Sequence, residues 1–248
     1  DMVVIDETAA TDKEPYNAIA AELTVSTESD GISYIFRAVS NAGNNGAESN
    51  PVVVNLDKAA PTIDVSGDIE SFKQNDTVTI TASAGISGIS RVEVKKDDGS
   101  YNDITSAYIS GYTVTENGTY IFRITSGANL KATDSITYTK LDSAKPVVSI
   151  DSNDYIQDTW TNGDVTLTVS NTASNLGTTT FQYSTDNADW SSYTGAITIG
   201  SDTNTTYYFK AISAAGVESN VESIVVKLDK TAPTGEITVK AKGFTSFL

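Results

Sequence analysis

Two side chains that carry much of enzyme chemistry are missing from this chain. Its 248 residues include no cysteine and no histidine. Their absence excludes a Ser–His or Cys–His nucleophile and any zinc site built on imidazole or thiolate. Disulfide stapling is excluded as well, so stability has to come from packed cores or a bound ion. Positive charge is scarce: 16 Lys and Arg stand against 32 Asp and Glu, a net charge of −16. A surface this acidic argues against nucleic acid and anionic membrane as partners, because both need clustered cations. There is no apolar run of 18 residues, so no helical membrane insertion is expected. The opening residues, Asp1-Met2-Val3-Val4, also lack the basic and apolar regions of a signal peptide.

What the chain does contain is small hydroxyls and strand-forming side chains. It has 34 Thr and 28 Ser, and its apolar residues are concentrated in Val, Ile, Tyr and Phe, which suit a half-buried pleated surface. Internal repetition organises them. Tyr34-Ile35-Phe36-Arg37, Tyr120-Ile121-Phe122-Arg123 and Tyr207-Tyr208-Phe209-Lys210 lie 86 and 87 residues apart. The pairs Leu56-Asp57, Leu141-Asp142 and Leu228-Asp229 follow at intervals of 85 and 87, each with a proline four residues after its Asp (Pro61, Pro146, Pro233). Three matched anchors define a tandem repeat of about 86 residues.

Within a repeat, Val78-Thr79-Ile80-Thr81 and Val165-Thr166-Leu167-Thr168 alternate apolar and hydroxyl residues. That period of two marks strands with one wet face. Asp-rich turns, Asp97-Asp98-Gly99 and Asp186-Asn187-Ala188-Asp189, follow further strand-like runs. Glu14 to Leu23 carries a weak helical period, but the repeat register reads it as a turn and a strand. About seven short strands per repeat predict an all-β chain of tandem immunoglobulin-like antiparallel β-sandwiches in an elongated array. Tyr34, Tyr120 and Tyr207 open the penultimate strand, where such folds anchor a tyrosine hydroxyl on nearby backbone.

The proline elements place boundaries that divide the chain into 1–61, the C-terminal half of a repeat; 62–146 and 147–233, two whole repeats; and 234–248, the start of another. Short linkers predict stiff end-to-end coupling of neighbouring repeats. The incomplete ends raise a further expectation, that the tail of one chain adds a strand to residues 1–61 of another. Net charge by segment is −7, −3, −7 and +1. Spread along the chain in this way, it reads as a solvated, self-repelling surface.

Tyr-x-Phe-x-Ala-x-Ser followed by Ala-Gly, with the closing Leu228-Asp229-Lys230-Thr231-Ala232-Pro233-Thr234, resembles bacterial immunoglobulin-like (Big-type) repeats of large Gram-positive extracellular proteins. The stretch Tyr183-Ser184-Thr185-Asp186 to Trp190, Tyr193 and Gly195 is similar to a hairpin of such modules. The second repeat departs from the pattern at Ser126-Gly127-Ala128-Asn129 and Ser143-Ala144-Lys145. The resemblance implies a bacterial extracellular or cell-surface location and a spacer or stalk without catalysis. The alternative is an adhesion or carbohydrate-binding module that takes a glycan or a host- or cell-surface ligand, with Trp190 and Tyr193 as the contacts.

Three features compete for a site. Asp57, Asp142 and Asp229 at the junctions, with Asp64, Asp68, Asp151 and Asp154 beyond them, offer hard oxygens for Ca²⁺, which takes six to eight. The favoured reading of the same residues is turn caps beside proline, and no cofactor or metal is assigned. Trp190 and Tyr193 lie around a turn and form the candidate ligand-binding pair. The competing role is an end plug of the sandwich, with Tyr101 as the matching aromatic of the preceding repeat. Trp160 and Phe72 read as core or edge plugs. Carboxylate pairs abound, but none stands in a catalytic context, so no catalytic residue is expected. An internal Lys–Asn crosslink has no marking spacing.

Overall fold

The structure is a computed structural model that describes residues 2–6, 22–39, 43–240 and 242–243. It divides into two compact units. One holds Asp1–Glu70 and Asn75–Thr139, the other Ser71–Gln74 and Lys140–Leu248. The described residues form strands and one 3-10 turn, Tyr108–Ser110. Most of Glu14 to Leu23 lies outside the described residues.

In the first unit, β1 (Met2–Asp6), β2 (Ser29–Val39), β3 (Asn45–Glu48) and β4 (Val52–Leu56) form one sheet. β2 carries the Tyr34-Ile35-Phe36-Arg37 anchor, and β3 and β4 both pair with it antiparallel. β1 pairs with β2 in parallel, from Met2 opposite Ile35 to Asp6 opposite Val39.

The same unit continues with β5 (Thr62–Ser66), β6 (Asp76–Ser83), β7 (Ile89–Lys96), β8 (Asn102–Asp103), β9 (Tyr112–Val114), β10 (Gly118–Ser126) and β11 (Lys131–Tyr138). They split into a three-stranded sheet, β5-β6-β9, and a four-stranded sheet, β11-β10-β7-β8, with antiparallel pairing throughout. This is the two-sheet division of an immunoglobulin-like sandwich. Alternation explains the core: Val78 and Ile80 of β6 are buried while Thr77, Thr79 and Thr81 are exposed. Val92, Val94, Phe122, Ile124 and Tyr138 supply the buried face of the other sheet. Tyr112 of β9 meets Phe122 edge-on at 5.8 Å. Full burial of such a side chain contributes about 1.5–3 kcal/mol.

The second unit repeats the plan with β12 (Val148–Asp151), β13 (Trp160–Thr161), β14 (Val165–Asn171), β15 (Thr180–Ser184), β16 (Ser191–Tyr193), β17 (Ile197–Ile199), β18 (Thr203–Ile212) and β19 (Glu222–Leu228). Its sheets are β12-β14-β17 and β13-β19-β18-β15-β16. One core joins Val148, Val165, Leu167 and Ile199 of the first sheet to Phe209, Ala211, Ile224, Val226 and Leu228 of the second.

One expectation changes, and another is narrowed to fewer edges. Trp160 is not a plug. It is 61% exposed, because β13 is a two-residue edge strand beside Lys227 and Leu228 of β19 and its indole points outward. The edge of β2 that matches the β7 and β15 positions carries β1 of the same chain, so it is not open to an added strand there. The tail matches β5 and β12, which pair with β6 and β14.

Candidate functional site

The penultimate strands place one basic residue at a common position: Arg37 on β2, Arg123 on β10 and Lys210 on β18. On β10, Arg123 stands opposite Glu93 of β7 in register. Its Nη2 lies 2.8 Å from Glu93 Oε2, and its Nε donates to the same oxygen at 2.9 Å. Glu93 is only 6% exposed, and Arg91 Nη1 approaches its other oxygen at 3.4 Å. The Tyr101 ring covers the Arg123 guanidinium at 3.7 Å. On β18, Lys210 stands opposite Gln182, reaches Glu218 at 3.3 Å, and lies 4.8 Å from the Trp190 ring. Arg37 likewise pairs with Glu48, at 3.9 Å. Aromatic faces attract cations through the ring quadrupole, so the matched aromatics Tyr101 and Trp190 each cover a strand cation.

Trp190 is therefore half-buried with its ring beside a lysine. Tyr193 sits lower. Its ring meets Phe181 at 6.2 Å and Phe209 at 6.0 Å, both edge-on, and its hydroxyl accepts the Val169 N–H at 3.2 Å. No ring contact joins Trp190 to Tyr193 among the described residues. Of the three motif tyrosines only Tyr120 lies near the start of its strand, and it makes the expected anchor, donating to the Glu116 carbonyl at 2.9 Å; Tyr34 and Tyr207 stand in mid-strand in β2 and β18. Tyr207 makes no such bond among the described residues. The buried Tyr138 hydroxyl donates instead to Asp76 at 2.8 Å. Burial and that carboxylate hold its pKa far above the usual phenol range.

The junction aspartates are held by donors. Asp57 Oδ1 accepts the Ala59 N–H at 2.9 Å, and its Oδ2 accepts the Ser87 N–H at 3.0 Å and the Ser87 hydroxyl. The Ser87 hydroxyl and N–H hold the Asp57 carboxyl below its ordinary pKa. Asp142, 7% exposed, takes the Ala144 N–H on Oδ1 at 2.9 Å, and on Oδ2 the Leu176 N–H at 2.7 Å and the Asn175 amide at 3.2 Å. Burial pushes its pKa up, but the bonds from Leu176, Ala144 and Asn175 outweigh it and leave it lowered. Asp229 Oδ1 accepts the Thr231 N–H at 2.8 Å. Asp57 and Asp142 thus each accept three hydrogen bonds and Asp229 one, and among the described residues no three acidic side chains gather at a metal-binding distance. Asp68 and Asp151 likewise cap the N–H groups of Glu70 and Asn153.

Cavities are small or open. One of about 120 Å³ lies beside Asp57 and Ser87, lined also by Ser29, Asp30 and Asn55. A shallow groove of about 420 Å³ runs along Ile150, Tyr155, Gln157 and Glu222. Lys145 Nζ contacts Asn220 Oδ1 at 3.0 Å, but this pair is exposed.

One recurrent element escaped the sequence reading. Glu48-Ser49-Asn50 and Glu218-Ser219-Asn220 are identical triplets, and each supplies the acid for the strand cation of its own repeat. Comparing the repeats between the Tyr and Leu-Asp anchors exposes it, since the second repeat has no such triplet.

No family model and no curated protein matches this chain. Solved structures give weak likenesses. Three N-terminal domains of the bacteriophage RB49 Highly Immunogenic Outer Capsid protein share 19% identity, with a TM-score of 0.34, over 68% of this chain and 59% of that one. Fibronectin(III)-like modules of Clostridium thermocellum CbhA share 14% over 70% of this chain and 100% of theirs, with a TM-score of 0.32. A chain of a cytokine receptor complex shares 18% over 68% and 98%, with a TM-score of 0.28. The chain thus spans about 59% of the length of the phage capsid structure. At these scores the fold assignment rests on strand order and register.

Proposed function

We propose that this chain is a run of non-catalytic immunoglobulin-like modules, 62–146 and 147–233 with partial repeats on either side, that serves as a spacer in a bacterial surface or secreted protein. One observation carries the reading: the polar and aromatic residues that recur from repeat to repeat are engaged within the sandwich or its linkers. Arg37, Arg123 and Lys210 are paired, Tyr193 packs on Phe209, and Asp57 and Asp142 each accept three hydrogen bonds. A fold hosts function only through a site grafted onto it, and here the repeated residues maintain the module. The partners of each repeat are then its neighbours in the same chain.

Small-angle scattering on the whole chain tests the spacer. An extended rod profile is expected, and a maximum dimension typical of a compact 248-residue globule contradicts it. A second reading, adhesion to a glycan, draws on the half-buried Trp190 indole at a turn beside Lys210. Glycan-array binding that a folded Trp190→Ala variant loses would favour it, and silence on the array favours the spacer.

A further inference from the structure

The Leu-Asp element does more than end a strand. Asp57 and Asp142 each divide their carboxylate in the same way. One oxygen caps the N–H two residues on, within the linker, and the other takes an N–H from a loop well beyond the linker proline. That second donor is 30 residues on for Ser87 and 34 for Leu176. The donating loops, 84–88 and 172–179, follow β6 and β14, so the donor comes from the matching place in both repeats. Close approach is built in at both. A Cβ on Gly85 would overlap the Asp57 carboxylate and Ala59, and one on Gly177, at φ +70°, would meet the Phe72 ring and the Ala214 side chain at 2.8 Å. Burial follows the same logic: Pro61 and Pro146 are buried, as is Asp142. Asp229 makes the first half of the same arrangement, to Thr231.

We propose that the linker carboxylate is a two-armed lock that fastens each linker to the loop of the repeat after it, and that Asp229 is the docking point for a further immunoglobulin-like repeat. The recognised chemistry is a backbone N–H in a tight loop about 30 residues beyond the linker, reached by the oxygen that the turn leaves free. A charged acceptor makes such a bond about twice as strong as a neutral one. This deepens the spacer reading by naming what stiffens it, although the lock stands or fails separately from that role.

Asparagine separates the two arms. Asp→Asn keeps the oxygen that caps the turn and turns a donor toward the loop N–H, so only the second arm breaks. In the full chain, Asp57→Asn is expected to speed amide exchange of Ser87, and Asp142→Asn that of Leu176, by about ten-fold or more. Exchange at Val94 and Phe209 should stay slow, reporting an intact core, and Asp229→Asn should change neither loop. Equal exchange in wild type and variants overturns the lock.

The unaltered chain gives a reading that does not depend on variant folding. On acid titration the Leu176 amide proton should move together with the Asp142 carboxyl carbon, and independent titrations overturn the assignment. For Asp229, a chain with a second copy of residues 147–233 placed directly after Pro233 is decisive. There Asp229→Asn should speed exchange of Leu176 in the added copy, and silence refutes the docking point. Rod-like scattering with unchanged exchange would sink the lock alone, and compact scattering with coupled titration would sink the spacer alone.

Discussion

Residues 62–146 and 147–233 build the same pair of sheets, yet they treat one strand position differently. In the first, the cation of the penultimate strand is Arg123, neutralised across the sheet by the buried Glu93 and bracketed by Arg91. In the second, Lys210 faces a neutral Gln182 and finds its acid, Glu218, in the turn on the other side. Residues 1–61 follow the second solution, with Arg37 and Glu48. The difference tracks the cation supply, since 62–146 holds eight Lys and Arg and 147–233 holds three. The position therefore requires a long basic stem and a nearby acid, while the strand that provides the acid is free to change. Cross-strand pairs stabilise sheets in this interchangeable manner.

Four predictions separate what the repeats share from what they do not. The largest effect belongs to the shared core. Phe122→Ala and Phe209→Ala remove equivalent, fully buried rings and should each cost about 3–5 kcal/mol. Denaturant unfolding should show each loss confined to its own unit, and a single transition shifted equally by both would erase the modular distinction.

The unshared pair comes next. Glu93→Ala strands a guanidinium beside a buried space and should destabilise by about 2–3 kcal/mol, since one partner of a nearly buried pair is removed. Gln182→Ala, at the same position in the other repeat, should cost under about 1 kcal/mol. Equal losses would show that the opposing strand contributes the same in both.

Acid sensitivity follows. Thr105 and Arg91 hold the Asp103 carboxyl down to about 2, and the Ala188 and Asp189 N–H groups with the Ser184 hydroxyl hold Asp186 at about 2. A depressed folded pKa favours the folded chain above the ordinary value of 3.8, and that contribution disappears as pH falls toward 2. Carboxyl NMR should place both midpoints well below 3.8, and an ordinary midpoint at either would remove that turn from the comparison. The smallest effects belong to the aromatic covers. Tyr101→Ala and Trp190→Ala should each cost under about 1 kcal/mol, the tyrosine more because its ring lies nearer its cation.

Much of the architecture was legible because it rests on local rules. Alternating Thr and apolar residues gave β6 and β14 their faces, and Asp97 and Asn187 take the positive φ that their turns need. Packing choices were less legible. Trp160 reads as a core or edge plug, but its place on a two-residue edge strand leaves it largely exposed. Tyr120, third in β10, makes its backbone anchor, while Tyr207 stands in mid-strand in β18 without one. Tyr193 and Trp190 are three residues apart, yet the turn sends one ring to the core and leaves the other beside Lys210. The role of the linker aspartates depended on donors 30 and 34 residues away, which no local pattern reveals.

Pulling the single chain by its ends tests the central claim, that each repeat is an independent mechanical module. Unfolding one repeat of about 86 residues releases about 25–31 nm of contour at ~3.6 Å per residue. The account predicts two separate force peaks with increments of that size, one for 62–146 and one for 147–233. A single event releasing about 60 nm, or extension without a force peak, would contradict it.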